Sequence, residues 1–228
     1  MSGAFYHEEL YRSDDLLRKL REFPVTICGA GALGANIAEN LARQGFAKLT
    51  VIDRDRIEER NLSTQPYFRT DIGAFKAKIL SNNLYRALGV AITTKTEELT
   101  AANAAKLIAG SALAVDTFDN SIGRQVVKDA CSSARIPCLH AGLAGDYAEV
   151  IWNEIYRVPS AMNDDVCDYP LARNLVMLAV LIACETIVRF IATGERQSFT
   201  ATLGDFAVRE FSGQAEISPA SVDLDSSE

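Results

Sequence analysis

The ten residues from Val25 to Gly34, VTICGAGALG, constrain this chain more than any other stretch. Val25 to Cys28 is a short apolar run of strand type. Leu33, Ile37, Ala38 and Leu41 then recur at helical spacing between Ala32 and Gln44, with Gly45 placed to end that helix. Between strand and helix, Gly29, Gly31 and Gly34 stand in G-x-G-x-x-G spacing. That pattern serves a tight turn, a close approach of backbone to phosphate, and close packing of helix on strand. The helix start offers unpaired N–H groups to an anion. A second apolar strand, Leu49 to Ile52, ends at Asp53, 19 residues past Gly34. A carboxylate there can accept from ribose hydroxyls. The pattern predicts nucleotide binding, and its other reading is a tight turn without a ligand.

The alternation continues. Tyr6 to Arg21, Phe75 to Leu88, Thr100 to Ile108 (opened by a Thr cap), Ile122 to Arg135 and Leu171 to Ala192 read as helices. Ala91 to Thr96, Ala112 to Val115, Pro137 to Ala141 and Glu149 to Arg157 read as strands. Strands alternating with helices predict an α/β protein built on a parallel sheet with helices on both faces. One domain over residues 1–210 fits the length. Residues 211–228 form a Ser- and acid-rich tail with little to bury, expected to be disordered. The run Leu175 to Cys184, LVMLAVLIAC, is too short for a bilayer core that needs about 20 residues, so no membrane is expected.

Charge narrows the partners. The formal net charge is −7, so no basic field favours nucleic-acid phosphates. The five cysteines are odd in number and form no C-x-x-C, which argues against a disulfide framework and a four-thiolate zinc site. The acidic N-terminus lacks the apolar core of a signal peptide, so a cytoplasmic setting is expected.

A dense polar set follows Asp53: Asp55, Arg56, Asn61 and Gln65, then DIGAFKAKIL with Lys76 and Lys78. AVDTFDNSIGR adds Asp116, Asp119, Asn120 and Arg124. A lysine can neutralise phosphate oxygens, and an aspartate after a strand can hold Mg²⁺ through one carboxylate. Such a set serves phosphoryl or nucleotidyl transfer, where positioning and charge neutralisation dominate.

In these segments the chain resembles the E1-like adenylating enzymes of the ThiF, MoeB and ubiquitin-activating type. The matching pieces are GAGALGANIAENLARQGF, LTVIDRDRIEERNLSTQ, DIGAFKAKIL and AVDTFDNSIGRQ, in the family's order. The resemblance implies a Rossmann-like, mostly parallel sheet with some antiparallel strands in the C-terminal part. It implies ATP and Mg²⁺ as cofactors, a homodimer, and a ubiquitin-like or sulfur-carrier protein whose C-terminal carboxylate is adenylated, releasing pyrophosphate. By motif position, Gly29, Gly31 and Gly34 form the turn. Asp53 holds the ribose, with Asp55 and Gln65 nearby, and Asn61 lies near the phosphates. Lys76 neutralises phosphate charge, and Asp119 carries Mg²⁺. Arg12 fits an N-terminal arginine that reaches across a dimer, and Cys167 lies where some members place an acyl-accepting thiol.

Each residue has a second reading. Asn61 can cap a helix, the lysines can form a solvated face, and Asp119-Asn120 can be an ordinary turn. Arg12 can be a surface arginine, Cys167 a loop cysteine flanked by aspartates that weaken its thiolate, and His140 a hydrogen-bonded core residue. The sequence also departs from the family. Members commonly read Asn-Leu-x-Arg-Gln, whereas here Thr64 stands at the arginine position. Arg60, Arg69 or a partner's arginine are the candidates to compensate. Thr64 keeps open a non-catalytic E1-like scaffold or heterodimer subunit, and a nicotinamide-dependent oxidoreductase remains a third reading.

Overall fold

The computed structural model describes residues 3–159 and 171–213. Eight strands form one sheet in the order β3-β2-β1-β4-β5-β6-β7-β8. The parallel part comprises β1 (Val25–Cys28), β2 (Leu49–Ile52), β3 (Thr93–Lys95), β4 (Leu113–Asp116) and β5 (Cys138–Ala144). The antiparallel part adds β6 (Tyr147–Trp152), β7 (Ser198–Thr202) and β8 (Ala207–Phe211). The expected mixture of parallel and antiparallel strands is therefore present. β7 and β8 are two strands that the sequence pattern did not single out.

Seven helices accompany the sheet among the described residues: α1 (Tyr6–Tyr11), α2 (Asp14–Glu22), α3 (Ala32–Arg43), α4 (Lys76–Leu88), α5 (Ala104–Leu107), α6 (Ser121–Ala134) and α7 (Arg173–Thr193). The strands sort their side chains by period two. Val25, Ile27, Leu113 and Val115 join the core under α2, α3, α4 and α7. Cys28, Ala114 and Cys138 join the smaller core under α5 and α6. Helices thus cover both faces, as expected.

Three local expectations need correction. The single helix over Tyr6 to Arg21 is two helices, because Arg12 and Ser13 are extended and the Ser13 hydroxyl accepts from Leu16 N–H to cap α2. The helix over Thr100 to Ile108 shrinks to Ala104–Leu107. There Asn103 Oδ1 accepts from Thr100 N–H and Oγ1, so the expected cap donates instead of accepting. The apolar helix runs Arg173–Thr193, close to the expected Leu171 to Ala192, so what needs correction is the ten-residue length that argued against a membrane span. At 21 residues, α7 is long and apolar enough to cross a membrane by composition alone. Half of its most apolar window is buried inside the fold, against α3, β5 and β6.

The strand order places the site. From β1 the chain steps outward to β2 and β3, then returns to lay β4 on the other side of β1. Open α/β sheets bind ligands at such a reversal, beyond the carboxyl ends of the strands. Here those ends are Cys28 and Asp116, which pair directly in register.

Candidate functional site

A cleft of about 800 Å³ opens at this reversal. Gly29 has φ +106°, a backbone state that side chains rarely adopt. A Cβ at Gly34 would lie 2.1 Å from the Gly29 carbonyl oxygen and 2.5 Å from Thr117 Oγ1. Gly34 therefore sets how closely α3 packs on the turn. A Cβ at Gly31 would meet nothing within 4 Å, so that glycine faces open cleft. This separates their roles. Gly34→Ala is expected to destabilise by about 1–3 kcal/mol through overpacking. Gly31→Ala is expected to keep the melting temperature and weaken nucleotide binding. Thermal melts beside nucleotide titrations check both.

Two ties hold the turn. Thr117 Oγ1 donates to the Cys28 carbonyl at 2.9 Å, joining the ends of β1 and β4 across the reversal. Tyr67 OH donates to the Ala30 carbonyl at 2.9 Å. Asp53 also faces inward. Its Oδ2 accepts from Ala30 N–H at 2.6 Å and its Oδ1 from Asp55 N–H at 2.6 Å. Burial raises its carboxyl above the usual range, opposed by those N–H groups and by Lys76. Asp53 thus fastens the glycine turn to β2, and its carboxylate keeps spare lone pairs for a further donor.

The other expected residues converge on the same cleft. Lys76, the first residue of α4, is buried and its Nζ lies 3.2 Å from Asp55 Oδ2. Lys78 points outward against the Phe75 ring. Gln65 lines the cleft with Oε1 buried and without a hydrogen-bond partner among the described residues. Asn61 divides its amide: Oδ1 accepts from Glu58 N–H at 2.9 Å, capping the 3-10 turn Glu59–Ser63, while the residue lines the cleft. Asn61 therefore caps the turn and lines the cleft at once. Asp119 lines the cleft and is exposed, with Asn120 Nδ2 at 3.4 Å.

Other candidates lie elsewhere. Arg12 is away from its own chain's cleft, bonded to Glu8 at 2.7 Å and Glu185 at 3.0 Å. Arg69 pairs with Glu59 outside the cleft, whereas Arg60 lines it. Cys167 lies outside the described residues. Cys28, Cys131, Cys138 and Cys184 are buried thiols, and burial pushes Cys184 up to about 12.

His140 does not face the cleft. It is fully buried, with Nδ1 2.8 Å from Asp116 Oδ2 and Nε2 2.7 Å from Asn153 Oδ1. The Asn153 amide nitrogen is directed at Ser132 Oγ and the Lys128 carbonyl, so its oxygen faces the ring. Both imidazole nitrogens thus meet acceptors. The ring stacks on Tyr156 at 3.9 Å, and Tyr156 OH accepts from Arg124 at 2.6 Å. Asp116 Oδ1 takes Phe118 N–H at 3.1 Å, anchoring the loop that carries Asp119.

Sequence reasoning missed Thr117, Tyr67 and the apolar wall of Leu99, Phe118, Ile122 and Val126. The one available signal was Ile122, an isoleucine at the polar start of a helix and 74% exposed.

Sheet order, glycine turn and cleft define a Rossmann-type α/β fold with a charged pocket at its topological switch. Residues 7–212 match the ThiF family, and the chain belongs to that family. It is 32% identical over 157 residues to the sulfur carrier protein ThiS adenylyltransferase of Bacillus subtilis, covering 64% of this chain and 46% of that protein. It is 32% identical over 122 residues to the SAMP-activating enzyme E1 of Haloferax volcanii, covering 52% of this chain and 45% of that protein. The chain thus spans about half the length of these curated relatives. Among solved structures, E. coli MccB with ATP matches with a TM-score of 0.74 at 18% identity, over 86% of this chain and 65% of that one. That likeness concerns the fold.

Proposed function

We propose that this chain adenylates the C-terminal carboxylate of a ubiquitin-like or sulfur-carrier protein with ATP. The observation that carries the reading is the single cleft at the β1/β4 reversal. It collects the glycine turn, Asp53, Asn61, Lys76 and Asp119 from four separate segments. The relatives' names, sulfur carrier protein adenylyltransferase and SAMP-activating enzyme, support the carrier class.

In this reading the start of α3 and Lys76 receive phosphate oxygens, and Asp53 accepts from the ribose. The carrier carboxylate forms a C(O)O–P bond at the α-phosphorus. The bond from that phosphorus to the bridging oxygen breaks, and its electron pair leaves with pyrophosphate. The donor set suits Mg²⁺, which takes one or two carboxylates plus phosphate oxygens and water. Asp119 offers such a carboxylate, and the ion would supply neutralisation of phosphate charge. Among the described residues no cluster of three or more His, Cys, Asp or Glu side chains forms a protein-only cage.

A second copy is proposed to cover the outer face of α7, where Leu181 is 56% exposed beside half-buried Met177, Leu178 and Ile182. Thr64 favours the alternative of a non-catalytic scaffold, because the side chain at that buried position of the cleft carries no charge. The deciding experiment is ATP–pyrophosphate exchange with candidate carriers, on protein whose mass is measured by sedimentation. Carrier-dependent exchange is the expected result. ATP binding without exchange for any carrier would favour the scaffold, NADH binding without ATP binding would sink both readings, and a monomer would remove the dimer.

A further inference from the structure

We propose that Arg173, the first residue of α7, supplies from the cleft rim the positive charge that Thr64 does not bring, and meets the outer phosphates of the nucleotide; the inference rests on the nucleotide reading above. Among the described residues that line the cleft, Asp and Glu outnumber Lys and Arg six to four. The four cations already hold side-chain partners: Arg54 with Glu98, Arg60 with Glu58, Lys76 with Asp55 and Arg124 with Tyr156. A polyphosphate entering so acidic a cleft calls for a further cation.

Arg173 has no counter-ion. Its Nη1 donates to the Ser63 carbonyl at 3.3 Å, and among the described residues no Asp or Glu stands within ion-pair distance of it. A neutral carbonyl at that distance holds a guanidinium weakly. Bonds from a cation to an anionic oxygen run about 2.7–2.9 Å and are roughly twice as strong, so a phosphate oxygen displaces the carbonyl. The residue is exposed, which leaves its side chain free to turn. Its planar fork of donors matches phosphate oxygens in pairs. Helix stability does not account for the charge. α7 runs 21 residues from Arg173, and a cation in the first turn opposes the helix dipole.

Two ties set its position. Ser63 ends the 3-10 turn Glu59–Ser63 and Thr64 follows it; both line the cleft, as does Leu171, two residues before Arg173. Asn36 Nδ2 donates to both the Ala32 carbonyl (2.6 Å) and the Thr64 carbonyl (2.8 Å). One carbonyl of this segment is thus held by α3 and the one before it by Arg173. Asp53 marks the ribose end of the cleft, where it accepts from Ala30 N–H. The start of α3, which offers N–H groups to phosphate, comes next, and the segment bonded to its first turn lies past it. Arg173 therefore comes to the rim on the side where the β- and γ-phosphates run. Thr64 is buried there with a hydroxyl and no charge.

The test is calorimetric titration of the full chain with Mg-ATP and, separately, with AMP, beside thermal melts. The proteins are wild type, Arg173→Ala, Arg173→Lys and Arg173→Glu. Arg173→Ala is expected to weaken ATP about 10- to 100-fold, the range of a lost charged hydrogen bond, with AMP unchanged. Lysine should keep part of the affinity, because it brings the charge without the fork. Glutamate should bind ATP most weakly and yet melt no lower than wild type, because a helix start favours an anion. Unchanged ATP affinity in Arg173→Ala, or equal losses for ATP and AMP, overturns the proposal while leaving the nucleotide reading standing. A wild type that binds no ATP overturns both.

Discussion

An Asp119→Ala variant is expected to lose carrier-dependent ATP–pyrophosphate exchange by at least about 10²–10³-fold, the cost of removing one electrostatic contact to a developing charge. The fold should not suffer. Asp119 is exposed at the β4–α6 loop, and its one hydrogen-bond contact shown is the amide of Asn120 at 3.4 Å. Asn120 still caps α6 by accepting from Gly123 N–H at 2.7 Å. The melting temperature should therefore stay within about 2 °C of wild type, as for surface changes of under about 0.5 kcal/mol. Exchange is measured across a magnesium titration, with melts run in parallel. Wild-type exchange rates in the variant would remove Asp119 from the metal role.

The largest stability effect is expected at His140. Its ring stands between Asp116 and Asn153 with no exposure and stacks on Tyr156. His140→Ala leaves the Asp116 carboxylate buried without its strongest side-chain donor. Breaking a buried pair from one side costs about 3–5 kcal/mol, a large share of the roughly 5–15 kcal/mol that holds a domain together. Because Asp116 also takes Phe118 N–H, the Asp119 loop should loosen as well. Urea unfolding of His140→Ala, Asp116→Ala and the double variant gives the coupling. The double variant should cost less than the sum of the two by more than about 1 kcal/mol. Additive losses would show that the two side chains do not act as a pair.

The parts of the site legible in sequence are those set by local rules. G-x-G-x-x-G between an apolar run and a helical pattern forces the turn, and Gly34 cannot be replaced without striking the Gly29 carbonyl. Asp53 follows β2 directly, and Lys76 opens α4, so each inherits its place from the element beside it. Errors fell where local signals compete. Ser13 capped a second helix inside what periodicity joined into one. Asn103 took the hydrogen bonds that Thr100 was expected to make. The hairpin of β7 and β8 has short strands of mixed polarity with half-exposed faces, which leave little periodic signal.

By itself, then, the sequence determined the alternation of elements, the anion-ready turn and the acidic and basic residues that end strands and open helices. Propensity, capping and hydrophobic period act over a few residues, and all of these features are of that range. Only the tertiary structure decided that β4 returns beside β1, which brings Thr117 across to the Cys28 carbonyl and creates the cleft. It also decided that His140 belongs to Asp116, 24 residues away, rather than to the nucleotide. And it set Arg60 on the cleft wall while leaving Arg69 outside it. Pairings of that kind depend on strand order and on how one turn leans against another helix, and neither is written in the spacing of residues along the chain.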